Sequence, residues 1–363
     1  MKSHNPRRFY LITYPRTGSN LLVRMLGLEN QSDFIAGDDR GGYIFLPTIK
    51  LMTDLGLRAR GVADWTADEI EQVRRSYQEC FEGFQEYLET ASSVRRSVFI
   101  KEHVHFLVEP TALSELVFGP NSRANEVPWT MQIPESYGPD PKRSFLNQTV
   151  LPDEFLKTWS PAFLIRHPAL AFPSLYRALY ELERPANEEE ADSLGEHCMT
   201  LRWTRSLYDW YSRNLTAAES YIDGRVTWPI ILDADDIMTD PDVVVRFCEM
   251  MGMDPSQLCF SWTPATVNQK TQMDPFTKRY LSTLLASGGI VQGKTSTTID
   301  LEKEAKKWRT EFGDRAGRRI ERLVKEAMPD YKFLKSRRLT SRPSIQEPPP
   351  VIHMCSEVVR RWT

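Results

Sequence analysis

Twice along this chain, a short run of β-branched and aromatic residues is stopped by a tight Pro- or Gly-containing turn that opens directly into helix-spaced sequence. In RFYLITYPRTGSNLLVRMLGL, residues 8–14 read as a strand, Pro15 and Gly18 punctuate it, and from Ser19 onward the apolar residues recur at helical spacing. The unit returns in PAFLIRHPALAFPSLYRAL at 161–179. There residues 162–165 read as a buried strand, and Pro168 stands near the first helical position, where a missing N–H is tolerated. A strand that runs straight into a helix meets its next strand through a crossover, in parallel. Further strands at 97–101 (SVFIK) and 226–232 (VTWPIIL), and helices at 66–90 and 241–251, extend the alternation. The expected fold class is α/β, a mainly parallel central sheet with helices on both faces.

Residues 27–64 and 108–153 break the alternation, the second with many Pro, Gly and Asn, and are expected to be insertions over one face of the sheet, where specificity usually resides. The acidic stretch 181–196 reads as a solvated loop or a lid. At ~150 residues per domain, 363 residues allow two or three domains or one large α/β domain with insertions. The single domain is the reading adopted, over 1–335. A basic and then Pro-rich linker (SRRLTSRPSIQEPPP) and a tail follow over 336–363.

Charge and cysteine usage narrow the partners. Lys+Arg 46 against Asp+Glu 49 leave a net charge of -3, without the basic excess of a dedicated nucleic-acid binder, so an anionic partner has to be met locally. No apolar run approaches the ~18 residues of a membrane helix, and the N-terminal stretch is too short and polar for a signal peptide. The five cysteines are odd in number and scattered, which suits neither a disulfide framework nor a Cys-x-x-Cys metal site. His103 and His105, the sole close histidine pair, have no carboxylate cluster nearby, so no metal is expected. These features predict a cytoplasmic protein with no nucleic-acid or membrane partner, and a homodimer is left open.

Three segments carry chemistry. TYPRTGSNLL at 13–22 takes a strand through a Gly-containing turn into a helix, where outward N–H groups and the helix dipole stabilise a phosphate or sulfate. Arg16 adds a full charge, and Thr17, Ser19 and Asn20 add donors. The alternative is a plain turn with Ser19 or Asn20 as N-cap. Arg166 ends the 162–165 strand and Ser174 follows eight residues later, so a second anion can sit outside that strand's C-terminus. In FIKEHVH at 99–105, Lys101 and His103 share one face of an extended chain and offer an ammonium beside an imidazole. Taken singly, these are also an ordinary surface arginine, a helical serine and a structural histidine.

In this order the segments resemble the sulfotransferases that use 3′-phosphoadenosine 5′-phosphosulfate (PAPS). Tyr14 to Asn20 is similar to that family's 5′-phosphosulfate loop, Tyr-Pro-Lys/Arg-Ser/Thr-Gly-Ser/Thr-Thr before a helix. Arg166, Pro168 and Ser174 match the spacing of its 3′-phosphate motif, and Lys101 and His103 match its Lys-x-His segment at a strand end. The resemblance spans residues 8–334. It implies a P-loop NTPase-like sulfotransferase fold, transfer of the PAPS sulfuryl group to a hydroxyl of a small acceptor, release of adenosine 3′,5′-bisphosphate, and no metal. It also implies roles: Arg16 and Lys101 at the bridging oxygen, His103 as general base, Arg16, Thr17, Gly18, Ser19 and Asn20 at the phosphosulfate, Arg166 and Ser174 at the 3′-phosphate. Lys294 is carried as a further contact, because the family's Arg-Lys-Gly is not visible before Trp308. Asn20 stands where the family has Thr, Glu102 sits inside Lys-x-His, and Leu21 stands where many members have an adenine-stacking Trp.

Two other functions stay open. GGIVQGKT at 288–295 satisfies GxxxxGK[ST], with IILD at 230–233 as a candidate acidic strand, the pattern of an ATPase or kinase. Against it, helix-spaced YLSTLLAS precedes this loop and STTID is a poor helix start. The other is a repurposed or non-catalytic sulfotransferase fold, in which sulfation only creates a leaving group for elimination or cyclisation. Tyr43, Phe45, Trp65, Tyr77, Phe81, Phe84, Tyr87, Trp129 and Tyr137 suit an apolar or aromatic acceptor, or belong to the core.

Overall fold

A computed structural model describes residues 6–36, 42–123, 127–183, 195, 197–215, 221–222, 225–226 and 228–341. The strands are β1 (Arg8–Thr13), β2 (Phe34–Ala36), β3 (Ser97–His103), β4 (Ser160–Ile165), β5 (Tyr221–Ile222), β6 (Arg225–Val226) and β7 (Ile230–Asp233). Five of them form one parallel sheet in the order β2-β3-β1-β4-β7, while β5 and β6 make a separate antiparallel ribbon. The α/β expectation holds.

β1 is apolar along its length because both of its faces are covered, as a central parallel strand requires. Phe9 and Leu11 point to one side, where they pack with Leu22, Met25 and Leu26 of α1 (Ser19–Leu26) and with the Pro241–Met251 helix. Tyr10 and Ile12 point to the other side, which carries α2 (Leu46–Asp54) and α3 (Ala67–Ser93). α3 buries Val73, Tyr77, Phe81, Phe84, Leu88 and Ala91, a stripe at three- and four-residue spacing, and starts at a capping box between Thr66 and Glu69. α4 (Val104–Leu107), α5 (Pro110–Phe118) and α6 (Asp153–Leu156) separate β3 from β4, and α7 (Pro168–Glu183) follows β4.

The structure departs from the sequence reading at several places. Residues 27–64 are not a uniform insertion, since β2 extends the sheet by pairing with β3 (Phe34↔Ser97) and α2 packs on α3. Three strand residues are too few to display a period. Within 108–153, α5 forms behind Glu109, whose side chain accepts the N–H groups of Thr111 and Ala112. The strand expected over 226–232 begins only at Ile230, because Trp228 and Pro229 form a bend and Val226 belongs to the ribbon. The chain past Lys335 stays attached: the Leu339 N–H donates to the Ile231 carbonyl at 2.7 Å, and Arg246 donates to the Thr340 carbonyl. Most of the acidic stretch 181–196 and all of 342–363 lie outside the described residues. Among the described residues no helix is long and apolar enough to cross a membrane.

From β1 the sheet grows to β3 and β2 on one side and to β4 and β7 on the other. Chain direction therefore diverges at the C-terminal end of β1, the crevice where open parallel sheets receive ligands.

Candidate active site

The turn after β1 is shaped by left-handed residues. Arg16 has φ 68° and Gly18, the N-cap of α1, has φ 86°, with no side chain capping the helix. Ser19 and Asn20 stand inside α1, so the alternative in which one of them is the cap does not form. The first-turn N–H groups are left to an external acceptor, and the mixture of left- and right-handed residues turns successive N–H groups toward one side. Thr17 is fully buried, and its hydroxyl and N–H both bond to the Tyr14 carbonyl, at 2.7 and 3.4 Å. It holds the turn.

Register brings the second segment alongside. β1 and β3 pair Leu11↔Lys101 and Thr13↔His103, so Lys101 emerges on the α1 side of the sheet. Its ammonium donates to Asn20 Oδ1 and lies 4.3 Å from the centre of the Tyr43 ring. Asn20, a departure from the expected Thr, thus holds Lys101. Thr13 Oγ1 lies 2.7 Å from His103 Nδ1 and 3.0 Å from the Glu102 carbonyl. If the hydroxyl donates to that carbonyl, its lone pair accepts Nδ1–H, and Nε2 carries the free lone pair. Burial first, then His105, Lys101 and Arg16, push the His103 pKa well below its ordinary 6.5. Desolvation disfavours the charged ring, and the Lys101 and Arg16 cations oppose its protonation further.

Glu102 points to the opposite face and is fully buried. Its carboxylate accepts the N–H groups of His103 at 2.9 Å and Phe45 at 3.2 Å. Burial pushes its pKa up to about 8, against the pull of those N–H groups and of Lys101. Glu102 therefore ties the 42–45 loop to β3, and the Tyr43 N–H adds a bond to the Lys101 carbonyl at 2.9 Å. Gly42 completes the close approach, with φ 115° and a position from which a Cβ would meet the Lys101 oxygen at 2.1 Å. Gly42→Ala is accordingly expected to cost on the order of 1–3 kcal/mol, measured as a lower urea midpoint at unchanged slope.

Beyond β4, Arg166 donates to the Arg16 carbonyl at 2.8 Å and to the Lys294 carbonyl at 3.0 Å, while its buried Nε has no partner among the described residues. Arg16 in turn donates from Nε to Ser174 Oγ at 3.0 Å and from Nη1 to the Tyr280 carbonyl at 2.8 Å. Ser174 is thus joined to Arg16 rather than to Arg166. Lys294 Nζ reaches Thr283 Oγ1 at 3.2 Å; burial, Arg166 and Arg16 all lower its pKa. The loop bearing Lys294 is fastened by Ser296, whose N–H lies 3.1 Å from both Asp235 oxygens. Three cations gather around one crevice.

The ATPase pattern at 288–295 does not fold as a phosphate loop. The Ser282–Ala286 helix precedes it, Gly289 bridges to Ser261, and the next helix begins only at Leu301. The aromatic residues considered for an acceptor mostly form core. Phe45, Trp65, Tyr77, Phe81, Phe84 and Trp129 are buried, Tyr87 donates to the Ile35 carbonyl, and Tyr137 donates to Gln85. Of those nine, Tyr43 alone is in ring contact with His103, at 4.7 Å between centroids.

Comparison with known proteins decides the family. Sulfotransferase ppzF of Metarhizium rileyi (strain RCEF 4871) is 46% identical over 342 residues, covering 93% of this chain and 98% of that protein. The chain belongs to the sulfotransferases. Sulfotransferase ppzF of Metarhizium majus (strain ARSEF 297) is 47% identical over 337 residues, covering 92% of this chain and 97% of that one. No protein-family model matches the chain. A solved sulfotransferase domain from the Synechococcus PCC 7002 olefin synthase is similar at 14% identity and TM-score 0.37, over 86% of this chain and 97% of that chain.

Sequence reasoning about this sulfotransferase missed Thr13, Tyr280 and the linking role of Glu102. Thr13 carried a signal, since it ends the strand that pairs with 97–103. Tyr280 carried none: it contributes a main-chain carbonyl, and its ring lies 5.7 Å from the Arg16 guanidinium.

Proposed function

We propose that this sulfotransferase takes its sulfuryl group from PAPS and passes it to a hydroxyl of a small acceptor, with His103 as general base. The observation that supports this best is the junction of the uncapped α1 start with Lys101 and His103. An anion-binding backbone edge, an ammonium and a neutral imidazole meet at one end of the sheet. PAPS, when bound, supplies the sulfuryl group and leaves as adenosine 3′,5′-bisphosphate.

The residues fit such a ligand. The start of α1, with Gly18, Ser19 and Asn20, would hold the phosphosulfate, and Arg166, whose buried Nε lacks a partner, would hold the 3′-phosphate. Lys294 and Ser174 would flank that anion. His103 Nε2 would take the hydroxyl proton, while Lys101 and Arg16 hold positive charge where negative charge grows on the leaving oxygen. Tyr43 and Phe106, both in ring contact with His103, favour an acceptor with an apolar or aromatic body. Four free cysteines among the described residues suit a reducing, cytoplasmic setting.

Adenosine 3′,5′-bisphosphate is expected to stabilise the protein by ~2.7 kcal/mol at a hundred times its dissociation constant. A thermal-shift series checks this, with adenosine 5′-phosphate and magnesium ATP giving smaller shifts. Arg166→Ala should remove most of the advantage of the 3′-phosphorylated nucleotide over adenosine 5′-phosphate, since the bonds Arg166 would make to the nucleotide go to that group alone. Equal stabilisation of the parent protein by all three nucleotides would sink the proposal.

A further inference from the structure

On the side of His103 away from Lys101 lies a second set of polar groups that the transfer chemistry does not use. The His105 ring stacks on the His103 ring at 5.5 Å and meets Phe106 edge-on at 4.4 Å. His105 Nδ1 is buried and has no hydrogen-bond partner among the described residues. Arg58, only 8% exposed, donates from Nη2 to Cys198 Sγ at 3.1 Å and from Nη1 to Thr53 Oγ1 at 3.4 Å, and the Cys198 carbonyl accepts the Tyr14 hydroxyl. The Tyr14 ring closes the circuit, 6.4 Å from that of His105. After burial, Arg58 and then His197 act in one direction on His105, holding its pKa at about 3. The imidazole is therefore neutral at pH 7, with an N–H to give.

A buried guanidinium near an imidazole without a partner at one nitrogen is a donor set matched to a carboxylate. Arginine offers planar forked donors, and charge-assisted bonds in a low-dielectric site are the strong ones. A wholly apolar acceptor would leave His105 Nδ1 without a partner, at the cost of an unmet buried polar group.

We propose that the acceptor carries an anionic group, of the carboxylate type, besides the hydroxyl that is sulfated, and that Arg58 and His105 bind it beside His103. This rests on the reading of His103 as the base and names the substrate class for that site. It replaces a purely apolar acceptor with an amphipathic hydroxy acid.

The test uses 3-(4-hydroxyphenyl)propanoate and its methyl ester, which share a hydroxyl and a ring and differ in charge. Calorimetric titration into the full-length protein, with and without adenosine 3′,5′-bisphosphate, is expected to show the acid binding ~10–100-fold tighter than the ester, as one charge-assisted pair provides. Arg58→Gln should bring that ratio toward one, Arg58→Lys should restore part of it, and His105→Gln should reduce it. If Arg58→Gln does not fold, the ratio in the parent protein and in His105→Gln carries the test. Equal or tighter binding of the ester, or no measurable binding of the acid, overturns the proposal. Failure of the nucleotide to bind is a different result: it overturns the PAPS reading, while the acid-to-ester ratio is still measured on the nucleotide-free protein.

Discussion

His103→Ala is expected to lower sulfuryl transfer by ~10²–10⁴-fold, the contribution of a positioned general base, while binding of adenosine 3′,5′-bisphosphate stays close to that of the parent protein. The split follows from geometry, because the imidazole is held by Thr13 on β1 and Tyr43 on the 42–45 loop, away from Arg166 and Lys294. Its loss should appear in kcat rather than in nucleotide affinity. The pH profile provides an independent check. A base acts in its neutral form, and burial with three cationic or titratable neighbours holds His103 neutral to well below pH 6.5. Activity should therefore persist as pH falls past 6.5 and decline only at lower pH. A rate that falls through an ordinary 6.5 would place the proton on another group.

The same depressed pKa makes a stability statement. With the folded-state value lowered, the unfolded chain binds more protons between that value and 6.5, so stability declines as pH falls through this window. His105, at about 3, and His167, at about 4, act with the same sign. His103→Ala should lose stability less steeply than the parent protein between pH 6.5 and 4.5, readable from urea midpoints. A parallel pH dependence in both proteins would mean that the imidazole titrates alike in the native and unfolded states.

Much of the fold was legible because the strand-to-helix units are local. Residues 8–26 and 160–183 each contain an apolar strand, a turn with its Gly or Pro, and the start of a helix, so neighbouring residues suffice to read them. β2 was not legible: three residues, Phe34 to Ala36, become a strand through the edge that β3 presents to them. The same division runs through the site. Arg16, Lys101, His103 and Arg166 stand out because each places a titratable group at, or within three residues of, the C-terminal end of a strand. Their partners do not, because Asn20, Tyr43 and Tyr280 are joined to them across 58 to 264 residues of chain, the longest being the bond from Arg16 to the Tyr280 carbonyl. Glu102 shows the limit most clearly. In the sequence it interrupts Lys-x-His with a misplaced charge, whereas strand alternation turns it to the face opposite Lys101, where it fastens the loop that carries Tyr43.

Lys101→Met is the second large effect expected. Lys101 is 1% exposed, and its ammonium sits between Asn20 Oδ1 and the face of Tyr43. Such a placement is stable because the amide oxygen and the ring quadrupole both favour a cation. On the proposed mechanism, a charge fixed this firmly beside the α1 start would need no reorganisation as negative charge develops on the leaving oxygen, and removing one preorganised donor of this kind is expected to cost ~10²–10³-fold in kcat. Lys101→Arg should rescue little, since the planar guanidinium cannot occupy a pocket shaped around a compact ammonium. Asn20→Ala should be milder, because Tyr43 still holds the ammonium, and Asn20→Ala combined with Lys101→Met should cost less than the sum of the two in free energy, as expected for partners in contact. Single-turnover rates at saturating donor measure all four variants. Strict additivity would mean that Asn20 contacts the ligand on its own account, as the Thr that commonly stands there in this family is expected to do, and that its bond to Lys101 is incidental. Sub-additivity would make Asn20 a positioning residue, and would explain why an amide carbonyl serves at a position where a hydroxyl is the usual choice.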